Sequence, residues 1–273
     1  MLLPFRLLRD QHCDGATNMA RDEAISNAVS AGLQPPTLRF YGWTPPSISL
    51  GMSQRISSVD EARCAEAGVG IVRRSTGGLA ILHTDEFTYS IAMPASHPIA
   101  EGDVLTSYRR ISEAIMDALR RLGVRDVQAN KVAKEDKATG PVCFEAPSDY
   151  EVVGAAPAPD ALPLRKLVGS AQWRRLDGVL QHGSLPLHGD IGRICALLRG
   201  APDPARVRRH AATLQEALGR VASWDEVADA WRISFAEVLN IDFTSGPLSA
   251  GELARTDELL RTKYAADVWT RRK

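Results

Sequence analysis

The chain has 273 residues, its 33 Lys and Arg are balanced by 33 Asp and Glu, and 44% of it is apolar. That composition argues against disorder, collagen and a membrane span, and the charge balance gives no reason to expect a nucleic-acid partner or a strongly anionic surface. The length suits one large domain, or a large domain with a smaller one appended, and no stretch reads as a separating linker, so a single domain over 1–273 is expected.

The opening MLLPFRLLRD is interrupted by Arg6 and Arg9 too soon for a signal-peptide core, and no small-residue cleavage site follows, so a cytoplasmic protein is expected. Leu2 to Leu8 and Thr37 to Tyr41 read as strands around a helix from Ala16 to Leu33, which Pro35 and Pro36 end. Ser47 to Leu50 reads as a strand, Val59 to Ala67 as a short helix stopped by Gly68, and Val69 to Arg73, Ala80 to Leu82 and Phe87 to Met93 as strands. Asp103 to Leu122 carries an apolar stripe (Val104, Tyr108, Ile111, Ile115, Ala118, Leu119, Leu122) and stops at Gly123, as an amphipathic helix should. Asn130 to Pro141 has no periodicity and reads as a surface loop leading into Cys143.

Tyr150 to Val153 and Lys166 to Val168 read as strands joined by a Pro/Ala-rich connector, Gly154 to Leu164, and Gly178 to Leu187 as another strand. Beyond it the pattern is helical: Ile191 to Leu198, Ala205 to Leu218, Asp225 to Leu239 and Glu252 to Tyr264. Thr213 with Glu216, Ser223 with Glu226 and Ser249 with Glu252 each fit the reciprocal capping box. The order predicts an α+β (mixed α/β) fold with a helical C-terminal third from about residue 190 and no sequence repeat.

Three segments concentrate chemistry. Arg73 to His83 (RRSTGGLAILH) sets Arg73, Arg74, Ser75, Thr76, Gly77 and Gly78 between strands, where backbone N–H and guanidinium groups could face a phosphate or an acyl carbonyl; the bland alternative is a tight hairpin with solvated arginines. Cys143 ends a polar loop, a place that suits a reactive thiol. Cys64 and Cys195 lie on helices and read as small buried hydrophobes, and Cys13 has no evident partner. No cysteine pair has zinc-site spacing, so no metal is expected. Lys166 opens an apolar strand beside the small residues Gly169, Ser170 and Ala171, conditions under which an amine can lose solvation and act as a base. The polar set Gln172, Gln181 and His182 follows, with Gly183. Arg206, Arg208, Arg209 and His210 read as a solvated helix face.

The segments CFEAPSDYE, RKLVGSAQ and LQHGSLPL, with NMARDEAI, RFYGWTPPSISLGMSQ, TDEFTYS and TKYAADVW around them, resemble the biotin/lipoate ligase and transferase superfamily, and within it the LipM-type octanoyltransferases. The resemblance covers almost the whole chain. It implies a mixed, mostly antiparallel β-sheet flanked by helices, and an enzyme that moves an octanoyl group from acyl carrier protein to a lysine of a lipoyl domain, commonly the glycine cleavage H protein. It also implies Cys143 as nucleophile, Lys166 as its proton-transfer partner, and Arg73, Arg74, Gly77, Gly78 and His83 as the binding segment, with no cofactor. Leu79 stands where many members have a third glycine, Thr84 where aspartate is usual, and the connector Gly154 to Leu164 is long. An ATP-dependent lipoate ligase shares the lysine and the glycine segment but needs no cysteine; a non-catalytic acyl-binding or lipoyl-domain-binding protein is the other alternative.

Overall fold

Leu3–Arg9 (β1) forms because a run of apolar residues favours an extended chain that can be buried on both faces. In the computed structural model, which describes residues 2–130, 140–144, 151–200 and 202–273, this strand lies inside an eight-stranded mixed sheet. The other members are Thr37–Tyr41 (β2), Glu86–Pro94 (β6), Gln128–Asn130 (β7), Glu151–Ala155 (β8), Leu164–Arg174 (β9), Gly178–Pro186 (β10) and Ile241–Ser245 (β11), in the order β11-β1-β2-β6-β10-β9-β8-β7. β1 runs parallel to β11 and β2, and every other pairing is antiparallel. A three-stranded sheet holds Ser47–Leu50 (β3) between Gly70–Arg73 (β4) and Ile81–His83 (β5).

Helices cover both faces of the large sheet. Gly15–Ser30 (α1) starts at Asp14, whose side chain accepts from Thr17 N, and packs Ile25 and Val29 against Leu8, Ala92 and Leu180. The opposite face carries the main core, in which Ile111, Ile115 and Leu119 of Val104–Leu122 (α3) meet Phe87, Tyr89 and Ile91. Trp231 and Phe235 of the later helix join that core. Gly123 ends α3 in the left-handed region (φ 102°), where a residue without Cβ carries no strain. The short helix Glu61–Glu66 (α2) packs Cys64 with Ile48, Leu50, Val142 and Phe144 in a second cluster beneath the small sheet.

The C-terminal region is not wholly helical. Ile241–Ser245 pairs with β1 from Leu3 to Leu7, a strand that IDFTS is too short and too polar to announce. The expected helix over Ala205 to Leu218 is two, Pro204–His210 (α4) and Leu214–Leu218 (α5). Between them Ala212 N donates to Lys166 O at 3.0 Å and Thr213 caps the second. Trp224–Val238 (α6) follows; Ser223 caps it, but Glu226 pairs with Arg220 instead of returning to the cap. The helix expected over Glu252 to Tyr264 is Ala250–Leu259 (α7), with its reciprocal capping box, and a π-helical turn Leu260–Tyr264, before Asp267–Thr270 (α8). Ile191–Leu197 is 3-10 rather than α-helical. The polar loop expected before Cys143 falls on 131–139, outside the described residues, as does most of CFEAPSDYE.

Candidate active site

Lys166 owes its direction to a register shift. Val152 of β8 faces Val168 while its neighbour Val153 faces Lys166, so β9 carries Leu167 as an extra residue, and a bulge of this kind re-aims the adjacent side chain. Leu167 enters the main core, and Lys166 is left 1% exposed with its ammonium group meeting three acceptors. They are Glu151 Oε1 at 2.6 Å, Cys143 O at 2.9 Å and Cys143 Sγ at 3.5 Å. The Phe144 ring centroid lies 4.8 Å away, and a Cβ added at Gly169 would stand in van der Waals contact, at 3.4 Å, with Lys166 Cε and the Phe144 ring edge.

Burial pulls the lysine's pKa down, but Cys143 and Glu151 outweigh it and leave the amine more basic than usual. The sequence predicts an amine that loses solvation and acts as a base; desolvation alone does lower a lysine, and here the buried carboxylate and the thiol reverse the direction, so the resting group is the ammonium. Glu151, 4% exposed, is the site residue that sequence reasoning missed. Its signal was present as the last residue of CFEAPSDYE, an acid opening an apolar strand.

The glycine segment joins this site through the backbone. Cys143 N donates to Ala80 O at 3.0 Å and Ala80 N donates to Pro141 O at 3.0 Å, so residues 141–143 are docked on the strand that leaves the Gly77–Gly78 turn. Arg74 lies beneath that turn, 3% exposed, donating to Ser49 O at 2.8 Å, Gly77 O at 2.8 Å and Leu79 O at 2.8 Å. Burial lowers its pKa to about 10, partly countered by Cys143. Gly78 adopts φ 95°, and a Cβ on Gly51 would sit 1.9 Å from Gly78 O, so turn and β3 end pack without a gap. The space beside Gly77 is open.

Ser75 Oγ donates to Glu23 at 3.0 Å and contacts Tyr264 Oη at 2.6 Å. Thr76 Oγ1 lies 2.7 Å from His182 Nε2, and His182 Nδ1 lies 3.3 Å from Asp22. Burial depresses the His182 imidazole, which is therefore neutral at pH 7. Gln181 donates to Tyr89 Oη at 2.9 Å, the same phenol that contacts Ser170 Oγ at 2.9 Å. Ala171 pairs with His182 and Ser170 with Gly183 across β9 and β10. Gly183 is required there, since a Cβ would fall 2.3 Å from Ser170 Oγ and 2.9 Å from Gly169 O.

Two expected site residues are turned elsewhere. Arg73 donates to Thr270 O at 2.8 Å and Gly51 O at 2.9 Å, and its carbonyl accepts from Trp269 Nε1 at 2.8 Å, so it ties the C-terminal tail to the small sheet. His83 stacks on Trp43 at 3.7 Å and bridges Ser49 and Glu86 at 2.7 and 2.6 Å. Thr84 and Asp85 both receive Arg193. In the basic cluster Arg208 is exposed and paired with Asp190. Cys64 and Cys195 are buried as expected, while Cys13 Sγ accepts from Arg21 at 3.2 Å.

The lipoyl protein ligase A/B catalytic-domain model matches residues 14–236. The chain belongs to this family. Within the lipoyl ligase A/B family it is 40% identical over 278 residues to octanoyltransferase LipM of Moorella thermoacetica, covering 98% of each chain. It is 41% identical over 281 residues to octanoyltransferase LipM of Kyrpidia tusciae, covering 98% of this chain and 99% of the relative. Its fold is similar to that of lipoate-protein ligase A bound with ATP, with a TM-score of 0.82 and 25% identity over 98% of this chain and 99% of that one. It is likewise similar to a bi-partite lipoate protein ligase of Thermoplasma acidophilum, with a TM-score of 0.79 and 25% identity over 98% of this chain and 96% of that one. Among the described residues no helix is long and apolar enough to cross a membrane.

Proposed function

We infer that the protein is an octanoyltransferase of lipoate biosynthesis, an acyltransferase that acts on lipoyl-domain proteins through an octanoyl-Cys143 thioester. The observation that carries the mechanism is the thiol of Cys143 facing a buried ammonium at 3.5 Å, in a chain whose relatives carry the octanoyltransferase name.

An octanoyl thioester is already activated, so transfer to an amine needs no ATP. The Cys143 thiolate, stabilised by Lys166, attacks the thioester carbonyl carbon of octanoyl-acyl carrier protein. A new C–S bond forms, the bond to the carrier's thiol breaks, and that departing thiolate takes a proton from Lys166. In the second half the ε-amine of the acceptor lysine, on a lipoyl domain such as that of glycine cleavage H protein, attacks the Cys143 thioester. Its surplus proton returns to Lys166 as the C–N bond forms and Cys143 leaves as thiolate, which restores the resting ion pair. Backbone N–H groups of the Gly77–Gly78 turn, tied to Cys143 through Ala80, are the candidate donors to the tetrahedral oxyanion, an interaction worth about 2 to 4 kcal/mol of barrier. Each methylene of the acyl chain placed in an apolar tunnel contributes about 0.8 kcal/mol, which favours octanoyl over shorter groups.

The test is a transfer assay with octanoyl-acyl carrier protein and a lipoyl-domain acceptor in the absence of nucleotide. Octanoyl amide on the acceptor lysine is expected from the wild type. Loading that requires ATP and free lipoate, or binding of the donor with no turnover, would replace this reading.

A further inference from the structure

Among the described residues, Lys166 Nζ has three acceptors around it, Glu151 Oε1, Cys143 O and Cys143 Sγ, and an ammonium has three N–H donors to give them. A neutral amine has two, and its lone pair would then face one of these acceptors. Both ends of the Lys166–Glu151 pair are buried, at 1% and 4% exposure, so water does not stand in for a missing proton.

We propose that Glu151 is the positioning residue that keeps Lys166 protonated in the resting enzyme, so that the proton lost on activation is the thiol's and the reactive form is Cys143 thiolate beside Lys166 ammonium. The proposal rests on Cys143 as nucleophile. Once one proton has left the pair, the proton that remains sits either on the lysine with sulfur as thiolate, or on sulfur with a neutral lysine; a carboxylate 2.6 Å from the nitrogen, in hydrogen-bond contact with the ammonium, selects the first. Glu151 acts through Lys166, whose ammonium lies 2.6 Å from its Oε1. Among the described residues, the other ionisable groups that reach the site are the Arg74 guanidinium from the glycine turn and the Tyr108 phenol from α3, whose field is shared with Glu151 and Cys143. Arg74 is lowered to about 10 and Tyr108 is raised well above the usual phenol range by burial, so both keep one charge state between pH 6 and 9 as those directions require.

The chain has six lysines, which makes lysine-specific 13C labelling practical, with Lys166→Arg assigning the Lys166 Cε signal. In the resting wild type, without acyl donor, the Lys166 signal should keep its ammonium shift until pH exceeds the ordinary lysine value of about 10.4. In Glu151→Gln, which retains an acceptor for Nζ and removes the charge, its midpoint should fall by about 1 to 3 pH units. The rate of Cys143 alkylation by iodoacetamide on its alkaline plateau should fall on the order of tenfold, as expected for one pH unit of lost bias toward the ion pair, and Glu151→Asp should recover part of it. A Lys166 midpoint below about 9 in the wild type, or one that does not move in Glu151→Gln, overturns the proposal. The first measurement needs no variant at residue 151 and stands even if Glu151→Gln does not fold. Failure of the acyl-enzyme reading registers separately, as absence of octanoyl on Cys143 with these titrations intact.

Discussion

Lys166→Met separates the structural from the chemical role of the buried pair. Methionine fills most of the lysine's volume but removes the ammonium 2.6 Å from Glu151, leaving a carboxylate 4% exposed without it. Deleting one partner of a buried ion pair costs about 3 to 5 kcal/mol, more than the pair itself contributes. For a chain of this size that is a fall in Tm on the order of 10 °C, measurable by differential scanning calorimetry at pH 7.5. Adding Glu151→Leu removes the buried carboxylate as well, and the double variant should recover most of the lost Tm while remaining inactive. The reasoning is refuted if Lys166→Met melts within about 2 °C of the wild type, or if the double variant is no more stable than the single one.

Gly183→Ala should lose about 1 to 3 kcal/mol in urea titrations and most transfer activity, because its Cβ meets Gly169 O at 2.9 Å and can only be fitted by moving β9 at the lysine site; unchanged stability would contradict that packing. Burial pushes the Asp22 carboxyl up, but Arg39, His182 and Ser90 outweigh it and hold it below the usual range. Its folded value is therefore depressed, and the stability it contributes is present above the unfolded value of about 3.9 and lost as pH falls through the folded one. Asp22→Asn should accordingly be destabilised at pH 7, with the gap to wild type narrowing below about pH 4; a gap that is constant with pH would count against the assignment. Arg73→Gln should loosen the tail held at Thr270, with the Trp269 bond to the residue-73 carbonyl retained, seen as faster tryptic cleavage near residues 261–273 with little change in the rate of Cys143 alkylation, and a loss of alkylation equal to that of Lys166→Met would place Arg73 at the thiol instead.

Where one segment's pattern settles its structure, the sequence was readable. The stripe of α3 from Ile111 to Leu122, the strand Thr37–Tyr41 and the capping boxes at Thr213 and Ser249 are local, and the structure repeats them, although Val104 at the head of the expected stripe is exposed. β11 was not readable, because five mostly polar residues become a strand only when β1 offers an edge to pair with. The break between α4 and α5 has the same origin, since Ala211 and Ala212 are good helix formers diverted by the Lys166 backbone. At the site, Cys143 and Lys166 could be picked out from their own surroundings. Their approach depends on Ala80 docking residues 141–143 and on the bulge at Leu167, and neither leaves a mark in the sequence. Arg73 and Arg74 look alike in sequence, but Arg73 closes β4 and reaches the tail, whereas Arg74, just past the strand, lies under the glycine turn. Glu151 was visible as a residue and silent as a partner, because its importance is a 2.6 Å contact with a lysine fifteen positions away.

The most direct test of the account is the intact mass of the protein after mixing with octanoyl-acyl carrier protein without nucleotide. One octanoyl group should appear, map to Cys143, be absent from Cys143→Ser, and disappear when a lipoyl-domain acceptor is added. An unmodified wild type that transfers at full rate, or a Cys143→Ala variant with full activity, would contradict the acyl-enzyme.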